Sequence, residues 1–125
     1  FEKGHPYLVS VENNLAFVHN QLGQFEASLM LSKKNELYNS QVISKIRLYR
    51  NMAKSFQGLM NNKEAQYYFL KAIELAKVSL GNDHYEYGAS LIDYGEYLLL
   101  SLNPKDALHY FLLAKDVYAE VFNAD

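Results

Sequence analysis

A spaced set of two small residues and one large residue occurs three times in the chain, and this repetition restricts the fold more than any other feature. The members are Ala16, Ala27 and Leu31 in the first copy, Ala53, Ala65 and Phe69 in the second, and Gly95, Ala107 and Phe111 in the third. The second and third copies lie 42 positions apart, and the first copy is looser. Small residues let two segments approach closely, and one such unit cannot bury both of its faces. We therefore expect the copies to stack into an elongated solenoid.

The segments between these residues have the apolar period of helices. Apolar residues follow one another in steps of three and four, which places them in one stripe on an α-helix. Asn103 before Pro104 is typical of a helix start, and Asp83 with Glu86 predicts a capping box. The glycines expected at breaks or helix ends are Gly23, Gly58 and Gly81. The predicted helices are 6–22, 24–38, 42–59, 63–80, 84–102 and 104–122, which suggests three antiparallel pairs.

This pattern resembles the tetratricopeptide repeat, in which an alanine follows a small residue after twelve positions and a phenylalanine follows after four more. The long stride and the openings Gly4-His5-Pro6 and Gly81-Asn82-Asp83-His84 look like the kinesin light chain type of this repeat. The resemblance implies an all-α fold, a right-handed α-α superhelix of about three helix-turn-helix repeats. We expect one module over 1–125, cut from a longer array because 122–125 align with 80–83. The repeats expected are 4–40, 41–81 and 82–125.

The resemblance also implies where a ligand would bind, because in this family the first helix of each pair lines the concave face. The candidate contacts at inward positions are Asn14, Phe17, Arg47, Arg50, Asn51, Lys54, Asp93 and Leu99. Asn14 and Asn51 each offer a donor and an acceptor, so they can pair with the backbone of an extended peptide whatever its side chains. The alternative is that these are only polar residues on solvated helix faces.

Three cations of the middle repeat invite two interpretations. Arg47, Arg50 and Lys54 share one helix face because they are three and four positions apart. They could bind an acidic peptide partner. They could instead form a salt network between repeats, and we favour this interpretation because neighbouring repeats would bring the groups within reach. The pairs expected in that network join Arg50 and Lys54 to Asp93 and Glu96.

Composition and missing motifs exclude several classes of function. A net charge of −2 does not fit binding to duplex nucleic acid, and no apolar run is long enough to cross a membrane. The chain has no cysteine, which suits an intracellular, cytoplasmic location, and no motif predicts a metal, a cofactor or a catalytic centre. The family's carboxylate clamp is excluded as well, because Phe17, Ala89 and Asp93 stand at three of its binding positions.

Three hypotheses about function follow from these expectations. The leading one is a non-enzymatic adaptor that binds an extended segment of a partner protein in the concave groove. The second is a structural spacer or self-association element, in which exposed faces of the terminal helices pair between chains to form a homo-oligomer. The third is the regulatory arm of an enzyme whose catalytic domain lies outside these 125 residues.

Overall fold

The computed structural model describes residues 2–123 and contains six α-helices, with no strand in that part of the chain. Each helix begins and ends within two residues of its predicted bounds, so the all-α prediction is confirmed. The helices are α1 (Pro6–Gln21), α2 (Phe25–Glu36), α3 (Val42–Gly58), α4 (Asn62–Leu80), α5 (Tyr85–Leu100) and α6 (Pro104–Phe122). Phe1, Ala124 and Asp125 lie outside the described residues, so the alignment of 122–125 with 80–83 falls partly beyond them.

A histidine is the N-cap residue of α1 and of α5, which are the first helices of the first and third pairs. Nδ1 of His84 accepts a hydrogen bond from the backbone N–H of Glu86 at 3.0 Å, and His5 caps α1 in the same way. The capping box predicted at Asp83 is therefore wrong, because the residue at the N-cap of α5 is His84. The cap predicted at Asn103 is confirmed, since its side chain accepts from the backbone N–H of Asp106.

Gly23 and Gly81 lie at helix ends as predicted, and Gly58 has a different role. Gly23 and Gly81 have φ values of 75° and 94°, a left-handed conformation that glycine adopts without steric cost. Gly58 is still helical, and a Cβ on it would lie 2.3 Å from the ring of Phe25. Gly58 is thus small because α2 of the first pair packs directly against it, and the left-handed residue after α3 is Met60.

The six helices form three antiparallel pairs that stack side by side. The pairs are α1 with α2, α3 with α4, and α5 with α6, and the first helices α1, α3 and α5 contact one another in sequence. Each second helix also packs on the next first helix, so α2 contacts α3 and α4 contacts α5. Ala53, Ala65 and Ala72 are at most 1% exposed, which confirms that the small residues mark the close approaches. This arrangement confirms a solenoid of helical repeats.

The alignment of the first copy was wrong by one position in α2. Ala27 is exposed, whereas Ser28 is fully buried and its Oγ donates to the carbonyl of Ala16 at 2.9 Å. Ser28 is twelve positions after Ala16, the same spacing as in the other two repeats. The first repeat therefore keeps the regular spacing at a stride of 37 positions, and the residue equivalent to Phe69 is the buried Ser32 instead of Leu31. Ala27 was chosen because it is an alanine, but a buried serine is also small enough for this close approach when its hydroxyl is hydrogen-bonded.

Candidate functional site

A cavity of about 290 Å³ lies between α1 and α3 on the face formed by the first helices. We call it the α1–α3 groove. Its lining residues are Asn13, Asn14, Phe17, Arg47, Arg50, Asn51 and Lys54. Six of the eight candidate contacts predicted from the sequence therefore lie together. The seventh lining residue, Asn13, was not predicted as a contact, although it stands beside Asn14 at the neighbouring inward position.

A second cavity of about 540 Å³ extends this face toward α5. Phe17 and Lys54 line both cavities, so the two are continuous at these side chains. Asp93, a predicted contact, lines the second cavity only, together with the exposed Glu96. Leu99 lines neither cavity and is exposed on α5. The geometry thus groups seven of the eight predicted residues along one continuous depression.

The two asparagines of the predicted ladder have different surroundings. Asn14 is exposed to solvent. Asn51 is only 6% exposed, and its amide nitrogen donates to the backbone carbonyl of Asn13 at 3.0 Å. A bond in the opposite direction joins the same helices, because the amide nitrogen of Asn20 in α1 donates to the backbone carbonyl of Asn51 at 3.0 Å. Asn51 therefore joins α1 to α3, and Asn14 is the asparagine whose side chain faces open solvent.

Arg50 and Lys54 take part in the salt network between repeats. Nε of Arg50 lies 2.7 Å from Oδ2 of Asp93, and Nζ of Lys54 lies 3.3 Å from the same oxygen. The pairing with Asp93 that the sequence suggested is therefore present. The other expected acid, Glu96, has no ion pair with a described residue and is exposed. Its expected place in the network is taken by a different acid of α5.

That acid is Glu86, which the sequence reasoning assigned to a capping box. Its Oε1 lies 2.6 Å from Nη2 of Arg47, and its Oε2 lies 3.2 Å from Nη1 of Arg50. The side chain of Glu86 is only 4% exposed, and removing either arginine would leave its buried charge with fewer partners, which is strongly destabilising. A signal for this role was present, because Glu86 and Asp93 are seven positions apart and so share one face of α5.

The cations of the α1–α3 groove remain accessible although they are paired. The side chain of Arg47 is 58% exposed and that of Lys54 is 31% exposed. A guanidinium has five N–H donors, and the bonds of Arg47 to Glu86 use only Nε and one terminal nitrogen. Nζ of Lys54 also lies 5.8 Å from the centre of the half-exposed ring of Phe17. The groove therefore presents positive charge, amide groups and an aromatic surface.

A comparison with protein families matches residues 44–120 to the model described as Tetratricopeptide repeat. The chain belongs to the tetratricopeptide repeat family. Repeats of this family generally mediate protein–protein interaction, and they are typically non-catalytic modules. A comparison with curated proteins gave no match.

Metal sites and membrane-spanning helices are two other features that a tetratricopeptide repeat module could carry. Within residues 2–123, no group of three or more histidine, aspartate or glutamate side chains is arranged to hold a metal ion. None of the described helices has the length and hydropathy needed to cross a membrane.

Proposed function

We propose that this chain is a non-enzymatic adaptor module that binds an extended, acidic segment of a partner protein along the α1–α3 groove. One observation carries the proposal. The groove lining contains three cations, three asparagines and one aromatic ring, and no acidic side chain. Glu86 and Asp93 neutralise part of this charge from below, where they are buried. The surface that a ligand would meet is positive and rich in hydrogen-bond donors.

The accessible side chains suggest how such a segment binds. Asn14 can donate to a backbone carbonyl and accept from a backbone N–H of the same peptide, which requires no particular side chain in the ligand. The free terminal nitrogen of Arg47 can donate to a glutamate or aspartate of the ligand, and charge-assisted bonds of this kind are among the stronger ones. Phe17 offers an apolar surface in the same groove, beside Lys54. Specificity for acidic residues would come from Arg47 and Lys54.

Arg50, Asn51 and Asp93 have a supporting role in this proposal. Arg50 bonds to Glu86 and Asp93, and Asn51 bonds to the backbone of α1. These bonds connect the three first helices and fix the spacing of the groove walls. Replacing any of them would change the groove by disturbing the helices, so they are poor choices for a binding test. Leu99 lies outside the groove and could contact only a longer ligand that reaches the C-terminal end of α5.

We also propose that the repeats belong to the kinesin light chain-like type and that the protein acts in the cytoplasm. The histidine caps of α1 and α5 support the first of these statements, because both His5 and His84 accept from the backbone N–H two residues on. The absence of cysteine supports the second, since reducing compartments place no demand for disulfides on a domain.

The binding test uses a fluorescently labelled peptide of alternating glutamate and serine, which stays extended because its charges repel one another. Fluorescence anisotropy should report saturable binding to the wild-type chain that weakens as salt is added. Arg47→Glu and Asn14→Ala should each weaken binding, the former by about tenfold or more because it replaces an attractive charge with a repulsive one. Asn14 is exposed, whereas Arg47 also pairs with the buried Glu86, so circular dichroism must show unchanged helicity in each variant before its weaker binding is assigned to the groove.

Lys63→Glu is the matched control. It makes the same charge change on an exposed lysine of α4 that lines neither cavity. This variant should bind the glutamate–serine peptide as the wild type does, and a lysine–serine peptide should bind to none of the proteins. If Lys63→Glu weakens binding as much as Arg47→Glu, the attraction is a general effect of net charge and the groove proposal is wrong.

A further inference from the structure

The pair formed by α3 and α4 carries another depression, a cavity of about 580 Å³ that shares no lining residue with the α1–α3 groove. We call it the α3–α4 groove. Most of its lining is aliphatic or aromatic, and the side chains of Tyr67 and Val78 are 55% and 73% exposed. Both helices belong to the middle repeat, which already has a neighbouring repeat on each side. The lining residues are Lys45, Tyr49, Tyr67, Leu70, Lys71, Glu74, Leu75 and Val78.

The equivalent place in the next repeat is a smaller cavity of about 300 Å³. Five of its lining residues stand 42 positions after residues that line the α3–α4 groove, and they are Tyr87, Leu113, Asp116, Val117 and Glu120. The other two are Lys77, near the C-terminal end of α4, and Asn82, in the turn that follows α4. In this repeat, the end of the preceding second helix therefore contributes to the cavity and narrows it.

The preceding second helix of the α3–α4 groove is α2, which is too short to do the same. It begins at Phe25, which stands 37 positions before Asn62 at the start of α4. It has 12 residues, whereas α4 and α6 have 19 each, so it lacks about two turns at its C-terminal end. Ser40 is the residue equivalent to Lys77, and it lies in no helix. The α3–α4 groove is therefore open because α2 ends early.

Two lysines at the α3–α4 groove indicate the charge of its ligand. Neither Lys45 nor Lys71 forms an ion pair with any residue between positions 2 and 123. Nζ of Lys71 lies 4.6 Å from the ring centre of Tyr49 and 5.5 Å from that of Tyr67, so cation–π contacts hold its ammonium group at the groove. Among the described residues that line the groove, Glu74 is the only acid. The groove therefore favours a ligand that combines an apolar surface with negative charge.

We propose that the α3–α4 groove binds an amphipathic helix of a partner protein, with its apolar stripe on the aromatic and aliphatic lining and with acidic residues that pair with Lys45 and Lys71. Such a helix takes the place of the two turns that α2 lacks, and its apolar anchors follow the helical spacing of three and four. The next repeat supports this pairing with the signs reversed, because Lys77 of α4 lines the same cavity as Asp116 and Glu120. The site is separate from the α1–α3 groove and does not depend on the function proposed for that groove.

The probe is a fluorescently labelled, alanine-based peptide of about 16 residues, long enough to be partly helical, with three leucines in one helical stripe and glutamates beside them. Fluorescence anisotropy should show saturable binding to the wild-type chain. Lys45→Glu should weaken binding by about tenfold or more, because it replaces an attractive charge with a repulsive one. Val78→Ser should weaken it severalfold by removing an apolar contact. The same peptide with a central proline should bind about tenfold more weakly or worse, since proline breaks the helix.

Lys63→Glu is the matched control, because it makes the same charge change on an exposed lysine of α4 outside the α3–α4 groove. It should bind the helical peptide as the wild type does, and circular dichroism should show unchanged helicity in every variant. An excess of the glutamate–serine peptide should not displace the helical peptide, and displacement would overturn the proposal by assigning binding to the α1–α3 groove. Equal weakening by Lys63→Glu, equal binding of the proline peptide, or no saturable binding up to about 1 mM would also overturn it. Self-association of the wild type that Val78→Ser abolishes in sedimentation velocity would instead assign the groove to a second copy of the chain.

Discussion

The first repeat and the second repeat place different chemistry at the same positions between their helices. In the second repeat these positions hold Ala65, Phe69 and Ala72, which are buried in the main apolar cluster. In the first repeat the equivalent residues are Ser28, Ser32 and Asn35, and all three are equally buried. The helices pair in the same way in both repeats. Ala65 and Ser28 are both small, whereas Phe69 and Ser32 differ greatly in size, so the comparison teaches that the apolar character of this interior can be replaced by polar side chains.

Hydrogen bonds between buried side chains stabilise the interior of the first repeat. The amide nitrogen of Asn35 donates to Oε1 of the buried Glu12 at 3.0 Å, and Tyr38 donates to the same oxygen. Hydrogen bonds to a charged group contribute about 1.5–3 kcal/mol each. Against this, Oγ of Ser32 and Oδ1 of Asn39 are buried without a partner among residues 2–123, and each such atom costs about 1–3 kcal/mol. We therefore expect the first repeat to be the less stable one.

The largest effect is expected when the side chains at one equivalent position of the second and first repeats are each truncated to alanine. Phe69→Ala should lower the free energy of unfolding by about 3–5 kcal/mol, because it empties the centre of the apolar cluster. Ser32→Ala, at the equivalent place in the first repeat, should change it by less than about 1 kcal/mol or raise it, since the lost hydroxyl is unpartnered. Urea denaturation of both variants measures the contrast, and equal losses would mean that the two interiors do not differ as described.

A smaller effect tests whether the polar interior holds the first repeat together. Asn35→Ala removes a donor from Glu12 and an acceptor from Asn39, so we expect a loss of about 2–3 kcal/mol in the free energy of unfolding. Hydrogen exchange should show the loss in α1 and α2 before α5 and α6. Asn82→Ala changes an exposed asparagine and should have little effect. Stability unchanged in Asn35→Ala would show that the network contributes nothing.

The smallest effect is a dependence on alkaline pH. Burial, and then the hydrogen bond and negative charge of Glu12, raise the pKa of Tyr38 from 10.0 to about 12. Since the folded pKa is the higher one, the stability from the Tyr38 proton is fully present below pH 10 and disappears as the pH rises through about 12. Denaturation midpoints across this window should fall less steeply in Tyr38→Phe than in the wild type.

The second half of that test uses the third repeat. Burial is the main cause that raises the pKa of Tyr94 to about 12 as well, and no carboxylate bonds to its hydroxyl. Glu12→Gln should therefore lower the pKa of Tyr38 in a nuclear magnetic resonance titration with assigned tyrosine ring signals and leave that of Tyr94 unchanged. A shift of both tyrosines would contradict the claim that the Glu12 network acts within the first repeat alone.

The sequence predicted the helices well because their stripes and caps are local patterns. Helical spacing also fixes which side chains of α3 share a face, so six of the seven residues that line the α1–α3 groove could be named from the sequence, and their role in binding stays a prediction. It misplaced Ala27 because a search for alanine overlooks a buried serine, and only the carbonyl of Ala16 shows why Ser28 fits. Glu86 was missed for a related reason. Its partners are 36 and 39 positions away in the chain, and which acid reaches them depends on how one repeat is rotated on the next.

The most direct measurement of the central claim is a nuclear magnetic resonance titration of the wild-type chain with the glutamate–serine peptide. The account predicts that the side-chain amide of Asn14, the Nε–H of Arg47 and the backbone N–H of Phe17 shift together and saturate at one concentration. The exposed residues of α4, such as Tyr67 and Val78, should not respond. Saturable shifts confined to α4, with Asn14 and Arg47 unchanged, would contradict binding in the α1–α3 groove.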